Sequence, residues 1–126
     1  GMRLSADEMK KGGLAPGDCV EIAGAYAASG LVDYVSVVGG HSSDYKSTHE
    51  MYPTMQVRSA PYLDLATAIK DRVNLPVFHA TRITDVAAAA HAVENGRIDT
   101  TIGPAKRPAG TQSILVTYIG TPTPSS

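Results

Sequence analysis

The stretch LPVFHATRITDVAAAAHAVENG, Leu75 to Gly96, reads as a strand that turns directly into a helix. Its opening, with Asn74 in front, is the apolar run NLPVFHA, the pattern of a strand buried on both faces. Thr84-Asp85 is a helix-start signal, and the helix predicted from about Asp85 to Asn95 turns Val86, Ala89, Ala90 and Val93 inward before Gly96 ends it. Strand and helix joined this tightly are the repeating step of a βαβ protein, so the neighbouring segments should show the same alternation.

They do. VDYVSVVGG upstream carries a β-branched run from Val32 to Val38, closed by Gly39 and Gly40, and predicts a second buried strand. Between the two strands a helix is predicted from Tyr62 to Val73, with Tyr62, Leu65, Ala66, Ile69 and Val73 on one face. Earlier still, Pro16 to Ser29 predicts a helix with a first-turn proline, Val20, Ala23, Tyr26 and Ala27 at helical spacing, and Gly30 at its end. RIDTTIG supplies a further strand. The resulting order of helix, strand, helix, strand, helix, strand requires a parallel sheet with right-handed crossovers. From Thr111 the pattern changes to one more strand-like run, Ile114 to Ile119, and a Pro/Ser/Thr-rich tail.

The 126 residues are 43% apolar and 18% charged, the composition and size of one globular domain. A formal charge of −1 with no basic run offers no electrostatic footprint for nucleic acid or an anionic membrane surface. No apolar stretch approaches the roughly 20 residues of a membrane span, and no signal-peptide pattern stands at the N-terminus, so a cytoplasmic location is expected. Cys19 is the single cysteine, which excludes an intramolecular disulfide and a thiolate metal cluster within one chain.

Two places concentrate the chemistry. At the strand-to-helix junction, Thr81-Arg82 stands where helix N–H groups and an arginine would meet an anion such as phosphate; the alternative is that Arg82 pairs with Asp85 or Asp99. Gly39 to Ala60, after a strand's carboxyl end, is predicted as a long loop holding His41, Asp44, Tyr45, Lys46, His49, Glu50 and Tyr52. His49, followed by Glu50, is the candidate for proton transfer, set against a solvated loop with no catalytic role. His41 and Asp44 lack a second cluster at metal-site spacing, so no metal is expected. His79, between Phe78 and Ala80, reads as a hydrogen-bonded core histidine in preference to a cavity-lining one. Gly39 and Gly40 serve either a turn or the close approach of a ligand. Arg3 has no local explanation.

With these residues in place, the chain resembles the Old Yellow Enzyme family of flavin oxidoreductases, in the branch of dienoyl-CoA reductase and trimethylamine dehydrogenase. RLSADE, GGL, VDYVSVVGG, HEMYPT, PYLDLATAIKD, LPVFHATRITD and AVENGRID occur in the family's order and spacing, across residues 2 to about 99. The resemblance implies an α/β fold, part of an FMN-binding TIM-type (β/α)8 barrel, running from the end of the fifth strand to the start of the eighth. It implies that Arg3 lies against the flavin's pyrimidine edge, that Gly39 and Gly40 lie near the cofactor, that His49 lies near the substrate, and that Thr81 and Arg82 belong to the flavin phosphate site.

Departures from the family shape the remaining expectations. The family's first four strands have no counterpart, DTTIGPAKRPAG replaces its eighth-strand pattern with Pro104 and Pro108 breaking strand and helix, and the iron–sulfur cysteines are lacking. Residues 1–103 are therefore expected to form a truncated half-barrel and residues 104–126 a divergent tail with one added strand. The expected function is that of an NAD(P)H:flavin oxidoreductase-like protein that binds FMN, without an iron–sulfur cluster, and is not catalytically competent alone. Two alternatives stand beside it, a non-catalytic self-associating half-barrel remnant and a generic phosphate-ligand-binding protein. Open sheet edges predict a homo-oligomer.

Overall fold

The computed structural model describes residues 1–54, 56–104 and 115–119, the backbone alone for 102–104 and 115–119. Within them the chain forms β1 (Met2–Ser5), α1 (Pro16–Ser29), β2 (Val35–Val38), α2 (Tyr45–Met51), α3 (Leu63–Arg72), β3 (Val77–His79), α4 (Val86–Glu94), β4 (Thr100–Pro104) and β5 (Leu115–Ile119). The strands make one sheet in the order β1-β2-β3-β4-β5. β1 to β4 are parallel, and β5 runs antiparallel to β4.

The helices form for reasons visible in their ends. α1 has Pro16 in its first turn, the Asp18 carboxylate accepting the Ala15 N–H at 3.0 Å, and Gly30 closing it at φ 72°. In α4 the Asp85 side chain accepts the Ala87 N–H at 3.0 Å, satisfying one of the donors a helix start leaves unpaired.

Strand alternation separates two faces of the sheet. Val35, Val37 and Val77 are at most 1% exposed and pack with Ala23, Ala66 and Ile69 of α1 and α3 into the core. In register, Arg3, Ser36, Phe78 and Thr100 form a row across four strands, and the intervening positions face the helices. At the amino end of the strands, Asp99 accepts the Val77 N–H at 2.8 Å and the Lys70 ammonium at 2.8 Å, which ties α3 to the start of β3.

Several expectations are corrected. Gly39 to Ala60 is not one loop, because α2 forms inside it. Asp44 caps that helix, accepting the Ser47 N–H at 2.8 Å. Arg3 acquires a context the sequence did not reveal, since Met2–Ser5 is an edge strand paired with β2. Tyr26 and Val86, expected inward, are 38% and 44% exposed, while Ala92 is buried instead on α4. Helical spacing fixed the apolar faces only to within one residue, and small alanines are what the close helix–sheet approach selected. β2 begins at Val35, not Val32. Pro104 does not break its strand but ends it: β3 stops at His79, so β4 is paired only with β5 at that position and no third strand calls for the missing N–H. Pro108 and the tail beyond Ile119 lie outside the described residues. No helix among the described residues is long and apolar enough to cross a membrane.

Candidate functional site

Val38 ends β2 and Ala80 follows β3, so both stand at the carboxyl edge of the sheet, where α/β proteins place their ligands. A cavity of about 360 Å³ opens there, lined by these two with Arg3, Thr81, Arg82, Thr84 and the segment Met51 to Pro53. Three sequence-predicted residues, Arg3, Thr81 and Arg82, are thus brought together. None of the described residues lining the cavity is acidic.

Arg82 adopts φ 49°, a left-handed conformation that costs a residue with a Cβ about 1–2 kcal/mol. Its surroundings hold it there. The Arg82 carbonyl accepts the Ala60 N–H at 2.9 Å and the Ser59 hydroxyl at 3.3 Å, and its Nε donates to the Val57 carbonyl at 2.8 Å. Strain retained in this way is characteristic of ligand sites. Of the two carboxylates considered as its ion-pair partner, Asp99 is engaged by Lys70 and Val77, and Asp85 caps α4. That cap also occupies one N–H of the helix start.

Gly39 and Gly40 have structural reasons of their own. A Cβ on Gly39 would stand 2.7 Å from the Tyr62 ring, and Gly40 turns the chain at φ 73° with the Met51 backbone N 3.1 Å from where its Cβ would be. The turn is closed by Gly40 N–H donating to the Asp7 carbonyl at 2.7 Å and Ser5 Oγ donating to the Gly40 carbonyl at 2.8 Å.

His49 is exposed on α2, its ring edge-on to Tyr45 at 4.5 Å, and is not among the cavity's lining residues. Met51, Tyr52 and Pro53 form that wall instead. Of these, Met51 and Pro53 escaped sequence reasoning; only a recognised helix would have shown which residues its end delivers. At the other end of α2, the Ser43 N–H donates to His41 Nδ1 at 3.2 Å. His41 therefore carries its proton on Nε2 when neutral and directs it to Ser47 Oγ, 3.1 Å away. Hydrogen bonds from the Ser47 backbone and hydroxyl hold the Asp44 carboxyl below its usual range. His41, Ser47 and Asp44 thus form a cap at the start of α2. Among the described residues no cluster of three or more His, Cys, Asp or Glu side chains gathers.

His79 is 1% exposed and faces the helices. Since a carbonyl only accepts, its Nδ1 donates to the Val37 carbonyl at 2.9 Å, and Nε2 is left without a partner in the core. Burial, the larger influence, lowers its pKa, and the Val37 bond raises it. On the opposite face, Tyr34 and Phe78 stack with centroids 4.7 Å apart beside a second cavity of about 460 Å³ that also reaches Arg3.

Known proteins resemble this chain over most of its length. It is 36% identical over 99 residues, 79% of the chain, to the probable N-methylproline demethylase of Rhizobium meliloti, and 40% identical over 72 residues, 56% of the chain, to the multifunctional alkene reductase/demethylase OYE of Caballeronia cordobensis. The matches cover 15% and 11% of those proteins. Among solved structures, a 2-naphthoyl-CoA reductase in complex with 2-naphthoyl-CoA superposes with a TM-score of 0.66 at 28% identity, over 77% of this chain and 14% of that one. No family model matches the chain.

Proposed function

The chain is a partial relative of the Old Yellow Enzyme family, and on that premise we propose that it forms the part of an FMN-dependent oxidoreductase barrel that grips the flavin. On this reading β1 to β4 are consecutive strands of a TIM-type barrel. Arg82, with the Thr81 and Thr84 positions around it, holds the phosphate, and Arg3 meets the pyrimidine end. The observation that carries the reading is the shared cavity: two arginines from distant parts of the chain line one space whose described lining holds no acidic residue, which suits a phosphorylated, electron-poor ring system. When bound, the flavin supplies hydride transfer, and the chain supplies binding and orientation.

His49 is assigned the proton-transfer role on the substrate side. It rides the helix whose end forms the cavity wall, although its ring leans on Tyr45. The relatives' names, a demethylase and an alkene reductase, support a substrate among N-methylated compounds or alkenes for the enzyme of which this is a part. These 126 residues by themselves are expected to give little NAD(P)H oxidation.

The face bearing Tyr34 and Phe78, which no helix of the described residues covers, supports a second element of the proposal, that this sheet is completed by further strands, in the isolated chain those of another copy.

The test is the visible spectrum of the purified protein after FMN addition and gel filtration. A retained flavin band that Arg82→Ala abolishes is expected. A colourless protein that nonetheless binds inorganic phosphate would replace the flavin reading with generic phosphate binding, and loss of both would leave self-association alone.

A further inference from the structure

The wall segment Met51 to Pro53 is delivered by α2, and α2 has seven residues. A helix well short of about 12–15 residues does not hold in water by its own hydrogen bonds, so its place must be fixed from outside. At its start the Asp44 cap does this. At its end the last carbonyls lack intrahelical donors, and one of them, that of Glu50, accepts the Tyr62 hydroxyl at 2.6 Å. The Tyr62 ring in turn lies against Gly39 so closely that any side chain there would collide with it. Tyr62 itself is anchored at the start of α3, where Leu63 and Ala66 enter the core.

We infer that Tyr62 is a positioning residue for the cavity: through the Glu50 carbonyl it holds the end of α2 against the β2–Gly39 turn and so fixes Met51, Tyr52 and Pro53 opposite Arg3 and Arg82. The hydroxyl and the ring have separable duties. The ring fills the space that Gly39 leaves, and the hydroxyl caps α2. As far as it concerns ligand binding, this rests on the flavin reading above; the structural clamp does not.

The experiment compares wild type, Tyr62→Phe and Gly39→Ala by amide hydrogen exchange and by binding of two probes, FMN and inorganic phosphate. Tyr62→Phe keeps the ring and removes only the cap, so the Met51 and Tyr52 amides should exchange about five- to tenfold faster, the worth of one hydrogen bond, with α4 amides unchanged. FMN binding should weaken by a similar factor while phosphate binding, which needs no wall, stays constant. Gly39→Ala, which displaces the ring, should reproduce both effects. A uniform rise in exchange across α3 and α4 would make Tyr62 an ordinary stabilising residue and overturn the inference, as would unchanged exchange at Met51 and Tyr52. If wild type binds no FMN, the flavin reading fails, and the exchange comparison still decides whether Tyr62 holds the wall.

Discussion

Arg3, within the edge strand, and Arg82, beyond the carboxyl end of the third strand, line the same cavity. They should not contribute alike. Arg82→Ala removes the guanidinium that lines the cavity with Thr81 and Thr84, and is expected to weaken both inorganic phosphate and FMN by about 10- to 100-fold, the range for a charge-assisted hydrogen bond. Arg3→Ala should weaken FMN and spare inorganic phosphate. Equilibrium dialysis with the two ligands checks this, and equal losses of phosphate in both variants would contradict it.

His79 makes stability depend on pH. Its folded pKa is lowered, chiefly by burial, so the native state stays neutral where the unfolded chain, near pKa 6.5, takes up a proton. Its contribution is complete above about pH 6.5 and is lost as pH falls toward the folded pKa, at a rate of at most about 1.4 kcal/mol per pH unit. Urea midpoints at neutral and mildly acidic pH should converge for His79→Leu relative to wild type. An unchanged difference between the two pH values would show that another group carries it.

Asp99 and Lys70 form an ion pair with unequal partners. Asp99→Ala also deprives the buried start of β3 of the acceptor for the Val77 N–H, and should cost about 1–3 kcal/mol. Lys70→Met removes only a partly exposed charge, worth at most about 1 kcal/mol. Denaturant titrations that return equal costs would count against this division.

Tyr34 is 38% exposed and stacks on Phe78, on the face that no helix of the described residues covers. Sedimentation of the isolated chain should show dimers or larger species, and Tyr34→Asp should shift them toward monomer. A monodisperse wild-type monomer would refute the self-association.

Much of the fold was legible because local rules governed it. Pro16 and Gly30 bounded α1 where the chain actually bends into and out of the helix, and the β-branched run before Gly39 and the apolar run before Thr81 marked β2 and β3. The short elements were not legible. Met2–Ser5 has no turn signal or periodicity to announce it, and α2 is too brief for helical spacing to be measured; both exist because neighbours already in place supply their hydrogen bonds.

The site divided along the same line. The residue types at the Thr81-Arg82 junction pointed by themselves to an anion, because a strand leading straight into a capped helix concentrates donors and positive charge. Sequence alone could not say that Arg3 would come to the same cavity, or that Met51 to Pro53 would line it while the His49 ring packs edge-on to Tyr45. Such facts depend on strand register and on which of several competing partners a side chain finds. Both are set only when distant segments pack: register follows from burying one face of every strand at once, and partner choice from the distances that burial then imposes.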